Sequence, residues 1–255
     1  GNFVGKFIMP IWAQHTQDMM GQHVVPDRIL LTTNIQNGTT ANTFSGGTLV
    51  FTTGPVGVNG SRFVEPMNIV LRNGVVHTID GILEPDWLRK SIYDVLVKTN
   101  ETRGGDLSLF LSMLEASRNQ VAFLDALKQK DRDDLNPKTL FCPTNTAFTQ
   151  LLSNATLTRV TTEGVPFQSL FQVLLDNHLV LTNFVRDVEL VELASTNQEL
   201  TLTSTAEFPL HVVIGPVITI NDEATIVQED ILSEFGVLQI IDHLLVPPGM
   251  DVSAL

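Results

Sequence analysis

A twelve-residue segment occurs twice in this chain. GVVHTIDGILEP runs from Gly74 to Pro85, and GVLQIIDHLLVP from Gly236 to Pro247, with Gly, Val, Ile, Asp, Leu and Pro in the same register. Both read as β-strands, because aliphatic and β-branched residues dominate and each segment ends at a proline. Each also places one aspartate, Asp80 or Asp242, inside an apolar stretch. A carboxylate in that setting must accept hydrogen bonds or it destabilises the fold. Neither has a second carboxylate or histidine at a fixed partner spacing, as paired acid–base chemistry would need. The two aspartates therefore read as structural locks that accept backbone N–H groups. The repetition marks architecture built twice.

The segments between fill in that architecture. Residues 24 to 85 read mostly as strands, with ILLTTNI, TLVFTT and GVVHTIDGIL separated by Asn-Gly, Gly-Gly and Gly-Pro turn signals. Helical spacing follows. WLRKSIYDVLVKTN carries Leu88, Ile92, Val95 and Leu96 on one stripe, and Asp106 reads as the N-cap of LSLFLSMLEAS. QVAFLDALKQK is a further short helix, and KDRDDLNPK a solvated loop. In TLFCPTNTAFTQLL a strand from Thr139 to Cys142 meets Pro143. Thr144 or Asn145 then caps a helix that turns Ala147, Phe148, Leu151 and Leu152 inward. PFQSLFQVLLDNHLV opens on Pro166 and lines up Phe167, Leu170, Phe171, Leu174 and His178. VELVEL, ELTLTS, LHVVIG, VITIND and GVLQIIDHLLV return to strands. The helices-then-strands block, 91 to 250, has the size of a complete domain.

Composition narrows the chemistry. The formal charge is −13, so the surface repels phosphate backbones and anionic lipid, and nucleic-acid binding is not expected. No apolar run approaches the roughly 18 residues of a membrane span. Cys142 is the single cysteine, which rules out an intrachain disulfide and a cysteine-based metal site. It reads as a small buried hydrophobe beside Pro143. Four Asn-x-Ser/Thr sequons, at Asn37, Asn59, Asn100 and Asn154, are glycosylation candidates and lean towards secretion. No nucleophile triad, phosphate loop, His-Glu-x-x-His or dinucleotide motif is present, so neither an enzyme nor a cofactor is expected.

Three ordered motifs carry a family resemblance. TLFCPTNTAF resembles the first conserved box of the fasciclin (FAS1) family, GVLQIIDHLLVPP its second box, and DNHLV the Tyr-His region between them. Earlier in the chain GQHVV and NGVVHTIDGILEP match only the later half of that pattern. His23 to Asp80 spans 57 positions and His178 to Asp242 spans 64. The resemblance implies an α+β fold repeated in tandem, a β-sandwich wedge with several helices packed along one side. It divides the chain into the C-terminal part of a first FAS1 domain at 1–85, a short junction at 86–90 and a complete second domain at 91–250. The missing front half belongs either to a longer tandem array or to an upstream chain. A packed junction is expected, with Trp87 buried against one of the units.

The resemblance also supplies adhesion-motif candidates. His23, Asn177 and His178 stand in the Tyr-His region, with Gln22 and Asn177 where the family has tyrosine. Asp230 and Ile231 match an Asp-Ile pair that relatives use in adhesion, while the first unit has Asn68-Ile69. From the residues alone, His178 reads as a hydrogen-bonded structural histidine and Asp230 as a cap before a turn. The implied function is a secreted, non-enzymatic cell-adhesion or matrix module. Its partners would be an extracellular protein, a polysaccharide or other copies of itself, and self-assembly is one version of that reading. Carriage of an apolar, carotenoid-like ligand is the alternative.

Overall fold

A computed structural model describes residues 12–116, 121–131, 136–163, 170–181 and 199–252. They divide into two units, one within Phe3–Leu88 and one within Arg89–Leu255.

The described part of the first unit contains helix α1 (Ala13–Gly21). Five strands follow: β1 (Thr40–Asn42), β2 (Thr48–Thr53), β3 (Val56–Val58), β4 (Ser61–Leu71) and β5 (Gly74–Ile79). They form an antiparallel sheet in chain order, β1 to β5. Alternation sets the faces. In β2, Leu49 and Phe51 point inward to join Ile35, Ala41, Val58 and Leu83, while Val50 is exposed. ILLTTNI is not a strand, despite its β-branched composition. Its backbone groups are taken by side chains instead of a ladder: Asn68 Oδ1 accepts from Thr32 N at 2.9 Å, and His77 Nε2 lies 2.7 Å from the Leu30 carbonyl. Propensity describes a fit to a pleated surface, and here another element supplies the bonds.

The second unit opens with helices α2 (Ile92–Thr102), α3 (Ser108–Ala116) and α4 (Val121–Lys128). Strand β6 (Lys138–Pro143) follows, then helices α5 (Asn145–Leu151), α6 (Asn154–Glu163) and α7 (Leu170–Asp176). Its remaining strands are β7 (Leu179–Val180), β8 (Glu199–Thr203), β9 (Pro209–Ile214), β10 (Ile218–Ile220), β11 (Ala224–Ser233) and β12 (Gly236–Ile241). The seven-stranded sheet runs β7-β6-β12-β11-β10-β9-β8, with one parallel pair, β6 with β12. Every residue of β6 and β12 is buried. Such strands need cover on both faces. On one face Leu140, Cys142, Leu238 and Ile240 meet the helices through Ile92, Leu96, Phe110, Phe148 and Phe171. On the other, Phe141 and Ile241 pack with Val180, Leu210, Val212, Ile220 and Leu245. Gly236 is a glycine because a Cβ there would collide with the Lys138 carbonyl oxygen of β6. The α+β sandwich with helices on one side is the expected architecture.

Several boundaries move for local reasons. α2 starts at Ile92 rather than Trp87, because Ser91 and Asp94 form a reciprocal capping box. Asp106 does not cap α3. Its carboxylate pairs with Arg103 at 2.8 Å, and the first N–H groups of that turn go to Asn100 Oδ1 (Leu107 N, 2.9 Å) and Asn145 Oδ1 (Leu109 N, 2.9 Å). Leu151 and Leu170 are exposed rather than inward, while Phe148 and Phe171 carry the contacts expected of those helices. VELVEL, Pro166 and Phe167 lie outside the described residues, as do the first residues of the chain and part of the charged loop.

Candidate functional site

His23 and Asp80 in the first unit, and His178 and Asp242 in the second, make their bonds near the end of the repeated strand. His178 follows α7, 0% exposed, with Nδ1 2.7 Å from the Leu174 carbonyl and Nε2 accepting from Leu245 N at 3.0 Å. A backbone N–H can only donate, so Nε2 is bare and Nδ1 holds the proton. His23 repeats the arrangement after α1: Nδ1 is 2.9 Å from the Met19 carbonyl and Nε2 accepts from Leu83 N at 3.0 Å. Each imidazole ties a helix end to the chain just past the repeated strand. Burial pushes the His178 pKa down to about 4, opposed by the bond to Leu174. Beside it, Asn177 is 0% exposed, donates to the Leu245 carbonyl at 2.9 Å and accepts from Ser204 Oγ at 2.7 Å. Gln22, its counterpart, accepts from Thr43 Oγ1 at 3.0 Å.

The two aspartates form a second device. They are not inside the strands but one residue past them, partly exposed. Asp80 Oδ1 accepts from Arg62 N at 2.6 Å while its own N–H donates to the Arg62 carbonyl at 3.0 Å. Asp242 does the same to Thr225, at 2.7 and 3.1 Å. The side chain completes one more rung after the ladder proper has ended. The Arg62 N–H, and after it the Arg62 side chain, hold the Asp80 pKa below the usual carboxylate range. At Asp242 burial pushes upward, but the bonds from His243 and Thr225 outweigh it and the pKa is lowered.

A third device carries no obvious signal in the sequence. Asn59 accepts from Val50 N at 2.7 Å and donates its own N–H to the Val50 carbonyl at 3.0 Å. Asn221 engages His211 identically, at 2.8 and 2.7 Å. Both adopt left-handed backbone, φ 46° and 54°, which asparagine tolerates better than most residues. The only hint is an asparagine closing a short apolar run, in VNG and IND, and at Asn59 the sequon masks it.

Asp230 is not a cap before a turn. It sits within β11 at a bulge, φ 54°, where the register with β12 shifts between Gln228 and Ile231. Its N–H donates to Gln239 Oε1 and its carboxylate accepts from Gln239 Nε2, both at 2.8 Å. Asn68, φ 54°, takes the same place in β4, with its N–H 3.3 Å from His77 Nδ1. Ile231 packs against the helical core.

Thr144 Oγ1 accepts from Ala147 N at the start of α5, and Asn145 Nδ2 reaches the Gly105 carbonyl at 2.9 Å and Ser108 Oγ at 3.0 Å. Among the sequons, Asn37 and Asn154 are exposed, Asn59 is exposed but clamped, and Asn100 is half-buried with its oxygen on Leu107 N. Cys142 is fully buried and burial pushes its thiol pKa well up. Trp87 is 8% exposed and donates to Asp18 Oδ2 at 2.6 Å within the first unit. Among the described residues no group of three or more His, Cys, Asp or Glu is placed to hold a metal ion. No described helix is long and apolar enough to cross a membrane.

Two predictions follow from the geometry. His178 has a folded pKa near 4 against 6.5 for the free side chain, so acid protonates the unfolded chain first. Its contribution is complete above pH 6.5 and shrinks by about 3 kcal/mol on the way to pH 4. Asp176, raised to about 6 by burial, works in the opposite sense over pH 6 to 4. Comparing urea unfolding of the protein and His178→Gln from pH 7 to 4 cancels the Asp176 term. The stability gap should narrow as pH falls, and parallel curves would contradict the lowered pKa of His178. At Asn221, the Ala variant loses the clamp and keeps the left-handed backbone, for about 1–2 kcal/mol. The Gly variant loses the same bond but relaxes φ, and should recover about 1 kcal/mol of it in the same assay. Equal losses would show that the backbone conformation contributes nothing.

The scaffold has clear relatives. A model of the fasciclin domain matches residues 8–85 and 105–247. Human periostin is 29% identical over 194 residues, which is 76% of this chain and 20% of periostin. The chain thus spans about a fifth of the length of that curated relative. Among solved structures, a FAS1 domain pair from the insect cell adhesion molecule fasciclin I aligns over 96% of this chain and 86% of that one, at 18% identity and a TM-score of 0.49. With the family model matched in two segments over most of its length, the chain belongs to the fasciclin domain family.

Proposed function

We propose that the protein is a non-enzymatic adhesion or structural module of the cell surface or extracellular matrix. The observation that carries this reading is the family match across both units, 8–85 and 105–247. The insect relative is itself named as a cell adhesion molecule. The site geometry refines how adhesion would work. Asn177 and His178 have no exposed surface, and Asp230 is bonded to Gln239, so these residues shape the scaffold and the partner meets the surface around them. Its partner is an extracellular protein, a polysaccharide or a second copy, and glycans at the exposed Asn37 and Asn154 belong to that surface.

One observation favours a second reading, carriage of an apolar ligand. The first unit contains a cavity of about 730 Å³ bordered by Leu49, Phe51, Val58 and Phe63, a size that suits a small ligand.

Beads coated with the glycosylated protein test the adhesion reading. Clustering of the beads, or attachment of cells or matrix fractions above an albumin-coated control, is expected, with glycopeptides from the same sample carrying sugar at Asn37 and Asn154. Inert beads would sink the adhesion reading, and a visible chromophore extracted from protein purified from its source would favour the ligand reading.

A further inference from the structure

The cavity of about 730 Å³ in the first unit has a border that combines an apolar wall with one guanidinium. Leu49, Phe51 and Val58 belong to the core of that unit, so the wall is fixed by residues that hold the fold together. Part of it is aromatic. Phe63 stacks on His77 with ring centroids 4.7 Å apart and planes 25° from parallel, and Phe51 meets Phe63 at 88° and 6.4 Å. In the second unit the counterparts of Leu49, Phe51 and Val58, which are Leu210, Val212 and Ile220, pack with Phe141. Walls of this composition take an apolar body.

The polar groups on the border fall into two kinds. Both imidazoles are engaged within the unit. His77 has Nε2 2.7 Å from the Leu30 carbonyl and Nδ1 3.3 Å from Asn68 N, and His23 has Nδ1 on the Met19 carbonyl and Nε2 on Leu83 N. Neither ring has a nitrogen left for a ligand. Arg28 differs. Its Nη1 donates to the Thr40 carbonyl at 3.0 Å, which holds the guanidinium at the border, and Nε and Nη2 have no partner among the described residues. Those two nitrogens form one edge of the fork and can donate two parallel bonds to a carboxylate. No other lysine or arginine borders the cavity among the described residues. Asp27 borders it too and opposes a second negative charge, so one carboxylate suits the site better than a dianion. The chain's charge of −13 is no obstacle: residues 1–88 carry six Asp or Glu and four Lys or Arg, so most of it lies in the second unit.

We propose that this cavity binds a fatty acid, a single apolar chain that ends in one carboxylate. The inference rests on the apolar-ligand reading above and names the ligand class. The chain lies against Leu49, Phe51, Val58 and Phe63, and the carboxylate takes the Nε–Nη2 edge of Arg28. Removing the chain from water supplies most of the affinity, in proportion to the apolar area covered. The charge-assisted pair fixes which end of the ligand faces the border and separates an acid from a neutral lipid of the same length.

The test uses cis-parinaric acid, a fatty acid whose fluorescence rises when it leaves water, beside its methyl ester, which keeps the chain and loses the charge. The 255-residue protein should bind the acid saturably, one to one, and at least tenfold more tightly than the ester. Arg28→Gln should weaken the acid at least tenfold and leave the ester within twofold, which also shows that the cavity of the variant is intact. An arm without any variant gives the same answer: dodecanoate should displace the probe at least tenfold better than dodecanol. Acid and ester bound alike, with dodecanol as good a competitor as dodecanoate, overturns the fatty-acid assignment and leaves the apolar-ligand reading standing. A preference for the acid that Arg28→Gln does not change overturns the site. Absence of saturable binding by either form overturns the proposal and the apolar-ligand reading together.

Discussion

A strand buried on both faces and both edges must have every backbone group paired and every side chain packed. β12 meets that demand, and the rest of the second unit is arranged around it. β11 takes one edge, β6 takes the other, the described helices cover one face and the sandwich core covers the opposite one. Gly236 permits the close parallel approach of β6, and Phe141 fixes that strand by filling the core behind it. The equivalent strand of the first unit keeps the sequence and lacks that cover among the described residues. The repeated segment thus shows one strand design paired on both edges in the second unit and on one edge among the described residues of the first.

The three repeated side-chain devices have a common physical logic. His23 and His178, Asn59 and Asn221, and Asp80 and Asp242 each bond a backbone group of another segment, at places where the ladder or helix has just ended. Chain ends of that kind leave N–H and C=O groups that must be satisfied. A side chain that accepts from one residue while its own N–H donates back to it extends the ladder by one rung without extending the strand. Of the residues that resemble a family adhesion motif, Asn177 and His178 are fully buried, Asp230 and Ile231 half-buried, and His23 is exposed.

How much of this was legible in the sequence varied with how local the cause was. The repeat, the Thr144 cap and the buried strand before Pro143 were legible because pattern and turn chemistry sit side by side in the chain. Asp80 and Asp242 were recognisable as hydrogen-bond acceptors, but their place one residue beyond the strand was not. β4 and β11 were hidden by Pro66, Asn68, Glu229 and Asp230, which break the alternation where the strands bulge. ILLTTNI looked like a strand because its composition is that of one, while its bonds come from Asn68 and His77, more than thirty positions away. The Asn59 clamp and the Gln239–Asp230 pair join positions nine residues apart, on neighbouring strands whose register the composition does not fix.

Gly74–Ile79 and Gly236–Ile241 are one strand design, closed by β6 in the second unit and without a second-edge partner among the described residues of the first. Residue-resolved hydrogen exchange of the 255-residue protein tests it most directly, because alternate amides of an antiparallel strand face away from the partner already present. In β5, the amides that face away from β4 should exchange at least a hundredfold faster than their counterparts in β12, which meet β6. Equal protection along both edges of β5 and β12 would contradict the account.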